Sequence, residues 1–432
     1  MERRTFLVAG AAALRVLGAN DRVNIGVIGV GGRGTAHLRY ISKLDNAQVA
    51  AVCDVNQAQT ERAVAAVKKN GGAEPKVYDD MRKLFEDKDI DAVSVATPNH
   101  WHSLATIWAC HAGKDVYCEK PASYNIFEGQ RMIAAAKKYN RIVQIGMQGR
   151  SMEHKQRAVQ LLRDGAIGKL YMARGLCFKR RLSIGHTPDE PVPAGVNWDL
   201  FLGPAAMVPY SKNRHVYNWH WFWNTGNGDI GNQGIHQMDI ARWGLGVGLP
   251  NAVVSTGGKY IYNDDQETPN TQLATLDYGD KQIVFEVRGF PSNAEGDIRR
   301  GGTDVVGNEF YGEKGVLMLD DSGFKILLGH NGQPGESMQA VKGDDLNEDL
   351  NLGNPDKDDS VTLGQFKDVL CRHGDGRKIG IEFRWSTSGT ASDSTLFSAR
   401  YRAFFVRQGA TWPLSANSCR LAMTRLAKPN RV

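Results

Sequence analysis

The sequence predicts an α/β protein with a doubly wound parallel sheet in its N-terminal domain, followed by an α+β domain with an open-faced, mainly antiparallel sheet. Short apolar runs alternate with amphipathic stretches up to about residue 148, and runs of alternating polarity follow. The length of 432 residues also exceeds that of most single domains. We therefore predict a first domain at residues 22–148 and a second at residues 149–372.

The first domain is predicted from strands that are apolar along their whole length, as strands buried on both faces of a parallel sheet should be. The predicted strands, rich in Val, Ile and Ala, are Val23–Val30, Val49–Val55, Ala92–Ala96, Asp115–Cys118 and Ile142–Ile145. Helices with an amphipathic pattern are predicted between them at Gln57–Asn70, Met81–Asp87, Ser103–Ala112 and Ile126–Tyr139. This alternation is typical of a doubly wound domain.

The second domain has a different pattern. A helix is predicted at His154–Asp164, and an irregular stretch rich in Pro, Asn and aromatic residues covers about residues 179–228. Polar and apolar residues then alternate in three runs, Gln272–Tyr278, Gln282–Arg288 and Val316–Leu319. Alternation predicts antiparallel strands with one face on a core and one face open.

Composition and charge argue against a nucleic-acid partner. The net charge is +6, but residues 372–432 hold 11 of the 53 basic residues and only 3 of the 47 acidic ones. The rest of the chain is therefore close to neutral, whereas a nucleic-acid-binding domain carries a basic stripe. No apolar run approaches the roughly 20 residues of a membrane span, so no membrane insertion is predicted. The six cysteines show no C-x-x-C spacing, and no metal site is predicted.

Both ends of the chain differ from its body. Met1–Leu7 has the R-R-x-F-L form of a twin-arginine signal, so residues 1–20 are predicted to direct export to the periplasm. Arg15 interrupts the apolar stretch that follows, which leaves a short disordered start and a cytoplasmic protein as the alternative. Residues 373–432 form a basic tail without periodicity, and either a disordered tail or a disturbed reading frame would explain it.

A glycine-rich turn of the form G-x-G-x-x-G directly follows the first predicted strand and opens a helix. Gly29 permits the tight turn, Gly31 lets the backbone approach a pyrophosphate, and Gly34 allows close packing of helix on strand. Free N–H groups at the helix N-terminus favour an anion there. The pattern predicts a Rossmann domain whose dinucleotide contacts Gly29, Gly31, Gly32, Arg33 and Gly34.

The choice of dinucleotide depends on Asp54. This residue comes twenty positions after Gly34, at the end of the second predicted strand. Its carboxylate is placed to accept hydrogen bonds from the adenosine ribose and to repel a 2′-phosphate. The sequence therefore favours NAD, while Arg33 leaves NADP open.

Two further motifs follow the fourth and fifth predicted strands, at the sheet edge where ligands bind in open α/β sheets. They are Thr97-Pro98-Asn99-x-x-His102 and Glu119-Lys120-Pro121. With the glycine turn and the segment Leu161–Gly168, they resemble the Gfo/Idh/MocA (glucose–fructose oxidoreductase / inositol dehydrogenase) family over about residues 23–319. The resemblance implies that the cofactor site also includes Thr97, Pro98, Asn99, His102, Glu119 and Lys120.

The resemblance also implies which residues do the chemistry. Lys120 would lie beside the nicotinamide and hold or accept the proton of the reacting hydroxyl. In the segment 226–239, His236 matches the family's histidine, a residue type that titrates near neutrality. Asn232 stands where the family has an aspartate, and an amide cannot carry a proton. Either Lys120 and His236 transfer the proton alone, or the reaction differs from simple dehydrogenation.

An aromatic segment, Tyr217–Asn224, precedes these residues. Trp219 and Trp221 offer flat faces for the C–H side of a sugar ring, and His220 could reach its hydroxyls. The alternative is a packed aromatic core where this segment meets the sheet. Both interpretations stay open, since different rings could serve each.

The leading interpretation is an NAD(P)-dependent oxidoreductase acting on a hydroxyl of a carbohydrate or cyclitol, with Lys120 and His236 handling the proton. One alternative is an NAD-dependent glycoside hydrolase that oxidises C3 transiently, as some family members are. Another is a dinucleotide- or sugar-binding protein without turnover. The resemblance further implies a homodimer or homotetramer formed through the open sheet.

Overall fold

Two β-sheets organise residues 22–290 and 305–340, which are the residues that this computed structural model describes. The strands of the first sheet are β1 (Val23–Ile28), β2 (Ala47–Cys53), β3 (Lys76–Tyr78), β4 (Ala92–Val95), β5 (Asp115–Glu119) and β6 (Val143–Gly146). They are all parallel, in the order β3-β2-β1-β4-β5-β6. The order reverses direction between β1 and β4, which opens a crevice at the carboxyl ends of these strands.

Five helices pack on this sheet. They are α1 (Gly32–Ile41), α2 (Gln57–Lys69), α3 (Met81–Glu86), α4 (Asn99–His111) and α5 (Ile126–Tyr139). Asn56 and Asn125 cap α2 and α5 by accepting backbone N–H bonds at their first turns. Helix α4 begins at Asn99, four residues before the predicted start at Ser103, because its first turn is polar in sequence yet buried in the fold.

The second sheet has eight strands. They are β7 (Leu170–Phe178), β8 (Ala252–Gly258), β9 (Thr271–Asp277), β10 (Gln282–Arg288), β11 (Val305–Gly312), β12 (Gly315–Asp320), β13 (Gly323–Leu328) and β14 (Gln333–Gln339). Their order is β14-β13-β12-β11-β7-β10-β9-β8, and every neighbouring pair except β7 and β10 is antiparallel. The predicted fold class, a parallel sheet followed by a mainly antiparallel one, is confirmed.

Four helices accompany the second sheet, and two of them carry the second sequence motif. They are α6 (Glu153–Arg163), α7 (Trp198–Leu202), α8 (Gly228–Asn232) and α9 (Gly234–Leu245). Gln233, between α8 and α9, also has helical dihedral angles. Asn232 and His236 therefore lie one helical turn apart, as the spacing in the sequence predicts.

Glycines occupy the points at which helix α9 packs on the sheet. A Cβ atom on Gly234 would overlap the ring of Phe285 on β10, and one on Gly244 would overlap the ring of Phe310 on β11. Both phenylalanines are completely buried. The position of His236 on α9 is therefore fixed by a packed core rather than by loops.

One face of the second sheet is open at its β8–β9 edge, where Val254 is 69% exposed and Leu273 is 41% exposed. The homodimer or homotetramer stays a prediction. In residues 22–290 and 305–340 no helix is both long and apolar enough to span a bilayer. The signal segment at residues 1–20, the end of the second domain and the tail at 373–432 lie outside the described residues.

We expect Gly244→Ala to lower the thermal unfolding temperature, because the added methyl group must displace the Phe310 ring or move α9. Overpacking of this kind typically costs about 1–3 kcal/mol. The matched control is Gly129→Ala on α5, where the new Cβ would meet only the movable Ser123 side chain. Equal unfolding temperatures for the two variants, measured by differential scanning fluorimetry, would contradict the close packing of α9.

Candidate functional site

The glycine turn has the shape that a pyrophosphate needs. Gly29 has a φ of +80°, and a Cβ atom there would lie 2.7 Å from the carbonyl oxygen of Ala96. A Cβ on Gly34 would overlap the carbonyl oxygen of Gly29. A Cβ atom on Gly31, in contrast, would have no atom of the described residues within 4 Å, apart from those of its chain neighbours. The turn therefore closes tightly on the protein side and leaves an open cradle at Gly31, which fits a dinucleotide.

Asp54 lies at the end of β2 and holds the other side of this turn. One of its carboxylate oxygens, Oδ2, accepts a hydrogen bond from the Val30 amide at 2.9 Å, and Oδ1 accepts one from the Asn56 amide at 3.0 Å. Burial raises the pKa of Asp54, while the backbone hydrogen bonds oppose that change. The carboxylate is thus part of the turn itself and is fixed before any ribose reaches it.

Glu119, at the end of β5, is buried beneath the turn instead of lining it. Its Oε1 atom lies 2.9 Å from Arg33 Nε, from His37 Nε2 and from Gln148 Nε2. Burial alone would raise the pKa of Glu119, but Arg33 and His37 outweigh it and hold that pKa well below its usual range. Arg33, a candidate partner of a 2′-phosphate in the sequence, pairs with this carboxylate.

Sequence reasoning missed two members of this network. His37 is completely buried on α1, and its Nδ1 atom lies 2.8 Å from Ser94 Oγ in the middle of β4. Gln148 begins the 3₁₀ turn after β6. Its amide also reaches the Tyr117 hydroxyl, at 3.2 Å. The one feature of the sequence that could have indicated this network is His37, a polar residue at a position of α1 that the helical pattern assigns to the core.

His102 connects the two motifs that follow β4 and β5. Its Nε2 atom lies 2.8 Å from the carbonyl oxygen of Thr97, and its Nδ1 atom lies 2.7 Å from that of Pro121. Burial lowers the pKa of this histidine. The Lys120–Pro121 peptide bond is cis. His102 is therefore buried and bridges the two motifs through its ring nitrogens. The resemblance, by contrast, places it among the cofactor contacts.

The motif after β4 also reaches the second domain. The Asn99 amide donates to Asn227 Oδ1 at 3.2 Å, and the Asn227 amide donates to the carbonyl oxygen of Tyr124 at 3.2 Å. His100 Nε2 lies 3.0 Å from the carbonyl oxygen of Phe201 on α7. Burial lowers the pKa of His100 to about 4. These contacts fix the two domains relative to each other at the mouth of the crevice.

Lys120 is brought directly against the motif of α8 and α9. Its Nζ atom donates to the main-chain oxygen and to the Oδ1 atom of Asn232, both at 3.2 Å. His236 is buried one helical turn further on. Lys120 and Asn232 thus meet where β5 ends, with an amide in place of the expected aspartate.

Within the aromatic segment, Trp221 has the packing role, which is one of the two that the sequence left open. Trp221 is only 4% exposed and packs beneath the guanidinium of Arg181, 5.1 Å from its ring centre. Arg181 also pairs with Asp229 at 2.7 Å. Trp221 therefore belongs to the packed core. Trp219 and His220 are half-buried and stack on each other with ring centres 3.6 Å apart, and their contact with a sugar stays a prediction.

No group of three or more His, Cys, Asp or Glu side chains suited to a metal ion occurs in the described parts of the chain. Four cysteines are described, all buried thiols: Cys53, Cys110, Cys118 and Cys177. The pKa of Cys118 is raised to about 12, chiefly by burial. This thiol is therefore protonated at neutral pH, which disfavours it as a nucleophile.

Two family models match the chain. Residues 23–147 match the GFO_IDH_MocA model, an oxidoreductase family with an NAD-binding Rossmann fold. Residues 172–254 match the C-terminal alpha/beta domain of the same oxidoreductase family. The resemblance predicted from the sequence is confirmed, as are the NAD-binding domain and the class of NAD(P)-dependent dehydrogenase.

Similar sequences include the myo-inositol 2-dehydrogenase of Thermotoga maritima, which is 35% identical over 303 residues, 69% of this chain and 75% of that one. A glycosyl hydrolase family 109 protein of Saccharopolyspora erythraea is 28% identical over 59% of this chain and 50% of its own length. The inositol 2-dehydrogenase of Salmonella typhimurium is 32% identical over 40% of this chain and 49% of its own.

Among solved structures, levoglucosan dehydrogenase in complex with NADH and levoglucosan superposes with a TM-score of 0.61 at 18% identity. The match covers 84% of this chain and 93% of that one. An oxidoreductase domain protein from Kribbella flavida gives a TM-score of 0.60 at 20% identity, over 84% of this chain and 92% of its own. At these low sequence identities the structural similarity is evidence for the fold alone.

We expect Asp54→Asn to weaken NADH binding about tenfold, because a charged acceptor for the ribose hydroxyls is lost. The preference for NADH over NADPH should narrow as well, since the repulsion of a 2′-phosphate is removed. Fluorescence titration with both cofactors measures the two effects. The control is Glu61→Gln, an exposed carboxylate on α2. An unchanged NADH-to-NADPH ratio in Asp54→Asn would contradict this role.

His100 predicts a loss of stability in mild acid. Its pKa is about 4 in the folded protein against an ordinary value of 6.5. As the pH falls from 6.5 towards 4, the unfolded chain takes up a proton at this residue before the folded protein does. The free energy of unfolding therefore falls by up to about 3 kcal/mol. His100→Gln should unfold with a shallower dependence on pH below 6.5. Exposed His111, changed to Gln, serves as the control. Equal slopes in all three proteins would refute the assignment.

Proposed function

The chain belongs to the Gfo/Idh/MocA family of NAD-binding oxidoreductases, and on that premise we propose that it oxidises a ring hydroxyl of a sugar or cyclitol, or reduces the matching ketone. The observation that carries the proposal is the meeting of Lys120 and Asn232 one helical turn from His236, at the end of β5. This point lies at the strand ends next to the glycine turn, where ligands bind in such sheets.

The cradle at Gly31 and the carboxylate of Asp54 would hold NAD, which supplies a nicotinamide that exchanges a hydride with the substrate carbon. The rest of the chemistry is the handling of one proton. Lys120 would bind the substrate hydroxyl and receive its proton, or return it in the reducing direction. Asn232 orients the Lys120 ammonium, because both oxygens that accept hydrogen bonds from Nζ belong to this one residue.

His236 would complete the transfer. Histidine is the residue type most often used for general acid–base work near neutral pH. Asn232, with an amide, cannot take part in the exchange and serves only to orient. The proton would therefore pass between the hydroxyl, Lys120 and His236. Burial of His236 keeps bulk water from competing for that proton.

A second candidate function keeps the same site and changes the net reaction. The similarity to a glycosyl hydrolase family 109 protein over 59% of this chain favours testing an NAD-dependent glycoside hydrolase. Such an enzyme would oxidise C3 of the sugar, eliminate the aglycone to leave a C1–C2 double bond, add water at C1 and reduce C3 again, with no net change in NAD. The similarity to two inositol dehydrogenases supports simple dehydrogenation of a cyclitol instead.

We expect Lys120→Ala to lower kcat about a thousandfold, within the range that general acid–base groups contribute. NADH affinity should change less than about threefold, since the glycine turn and Asp54 are untouched. The measurement is NADH absorbance with myo-inositol and with free hexoses. The control is Lys137→Ala on the exposed side of α5.

Turnover that survives Lys120→Ala unchanged would overturn the mechanism. Release of an aglycone from a chromogenic glycoside, without net NADH and with the same dependence on Lys120, would establish the hydrolase instead. NADH binding without either reaction would leave a binding protein.

A further inference from the structure

A segment of the second domain pairs with the loop that follows β2 in the first domain. The Gln57 amide donates to the carbonyl oxygen of Gly195, and the Asn197 amide donates to that of Val55, both at 2.8 Å. The residues between these partners form an isolated antiparallel bridge. Because this loop begins directly after Asp54, the second domain is bound next to the carboxylate that faces the ribose.

The same segment is bound a second time at the first turn of α4. Trp101 Nε1 donates to the carbonyl oxygens of Leu200 and Phe201, at 3.1 and 3.0 Å. His100 Nε2 lies 3.0 Å from the Phe201 oxygen as well. Gly203 has a φ of +48°, and a Cβ atom there would overlap the Trp101 ring. Helix α7 therefore packs directly against the start of α4.

Aromatic packing adds to these hydrogen bonds. Trp198 and Phe201 are buried and stack with ring centres 4.8 Å apart, and Val55 of the first domain packs against their cluster. Trp198 Nε1 donates to the carbonyl oxygen of Val208 at 2.8 Å. The segment is therefore held on the first domain by apolar burial as well as by its backbone.

The two points of attachment lie on either side of the glycine turn. One is the loop after β2, the other is the start of α4 after β4, and β1 lies between these two strands in the sheet. Neighbouring strands are about 4.8 Å apart, so the attachments are separated by roughly two strand spacings. Residues 195–203, which contain α7 and both attachments, are called the strap.

The strap leaves the pyrophosphate cradle itself open. A Cβ atom on Gly31 would have no atom of the described residues within 4 Å, apart from those of its chain neighbours. A dinucleotide with its pyrophosphate in this cradle and its ribose at Asp54 carries its adenosine in the part of the crevice that the loops after β2 and β4 border. The strap is bound to both of these loops.

We propose that the strap closes the adenosine half of the NAD site, so that the dinucleotide enters and leaves only after the strap has detached from the loop after β2. The inference concerns the exchange of the cofactor. It depends on the NAD-binding domain and not on the substrate or the net reaction.

A segment that must open has a kinetic signature that a simple contact with the cofactor lacks. A side chain that only touches bound NAD slows its release and leaves its entry unchanged. A closed segment slows entry and release together, because both need the same opening. The dissociation constant therefore stays nearly constant when such a segment is locked.

The test is a reversible lock, Asn56→Cys together with Val196→Cys in the full-length protein. Opposed residues of an antiparallel pair have Cα atoms about 4.5–5.5 Å apart, a separation that a disulfide can bridge. The protein is loaded with NADH, oxidised, and mixed with excess NAD in a stopped-flow fluorimeter. We expect release to be about tenfold slower in the oxidised than in the reduced form.

Entry of NADH into the oxidised, empty protein should slow by the same factor, and dithiothreitol should restore both rates. The two redox states belong to one protein, so the lost capping of α2 by Asn56 affects both equally. The matched control is Val254→Cys with Thr275→Cys, an opposed pair on β8 and β9. Its oxidation should change neither rate.

A second variant tests the opposite direction and needs no disulfide. Trp198→Ala removes the stacking on Phe201 and the packing on Val55, so the strap should detach more readily. We expect NADH entry and release both to become about tenfold faster. Trp198→Phe, which keeps a ring at this position, should stay close to the wild type.

Equal release rates in the oxidised and reduced lock, or the same slowing in the control pair, would overturn the proposal. Slower release with unchanged entry would overturn it as well, since the strap would then only touch the cofactor. NADH fluorescence does not need turnover. A protein without dehydrogenase activity would therefore count against the proposed function, while the lock would still decide the role of the strap.

Discussion

The buried carboxylate of Glu119 is the contact on which the geometry of the crevice depends. It receives hydrogen bonds from the glycine turn through Arg33, from α1 through His37, and from the end of the first domain through Gln148. An ionised group so far from water persists only when its acceptor sites are occupied. Because Lys120 is the next residue, the network that stabilises this charge also fixes the backbone from which the lysine side chain extends.

The second domain contributes rigidity in a different manner. Helix α9 packs closely on the sheet at two glycines, and the Asn308 amide on β11 donates to the main-chain oxygen of Gln237 on α9 at 2.8 Å. Lys120 thus extends from a buried charged network, whereas His236 extends from a helix held mainly by close packing on the sheet. The contact of Lys120 with Asn232 is therefore determined from two sides by interactions of different kinds.

Much of this arrangement could be predicted from local patterns. Helix α5 and strand β10 have the predicted bounds, because their polarity follows a single period from end to end. The first turn of α4 was missed, since Asn99 and His100 are polar by sequence and buried by tertiary contacts. The partners of Glu119 and the contact of Lys120 with Asn232 depend on contacts between distant elements. A single sequence contains no periodic signal for such contacts.

A neutral His102 has one N–H group too few to donate a hydrogen bond to both of the carbonyl oxygens that it faces. A neutral imidazole bears a single N–H, yet the ring faces a carbonyl oxygen at each nitrogen, Thr97 on one side and Pro121 on the other. At any instant one of these two oxygens therefore faces a lone pair and is held less firmly. The tautomer of His102 therefore decides whether the loop after β4 or the loop after β5 receives its single N–H bond.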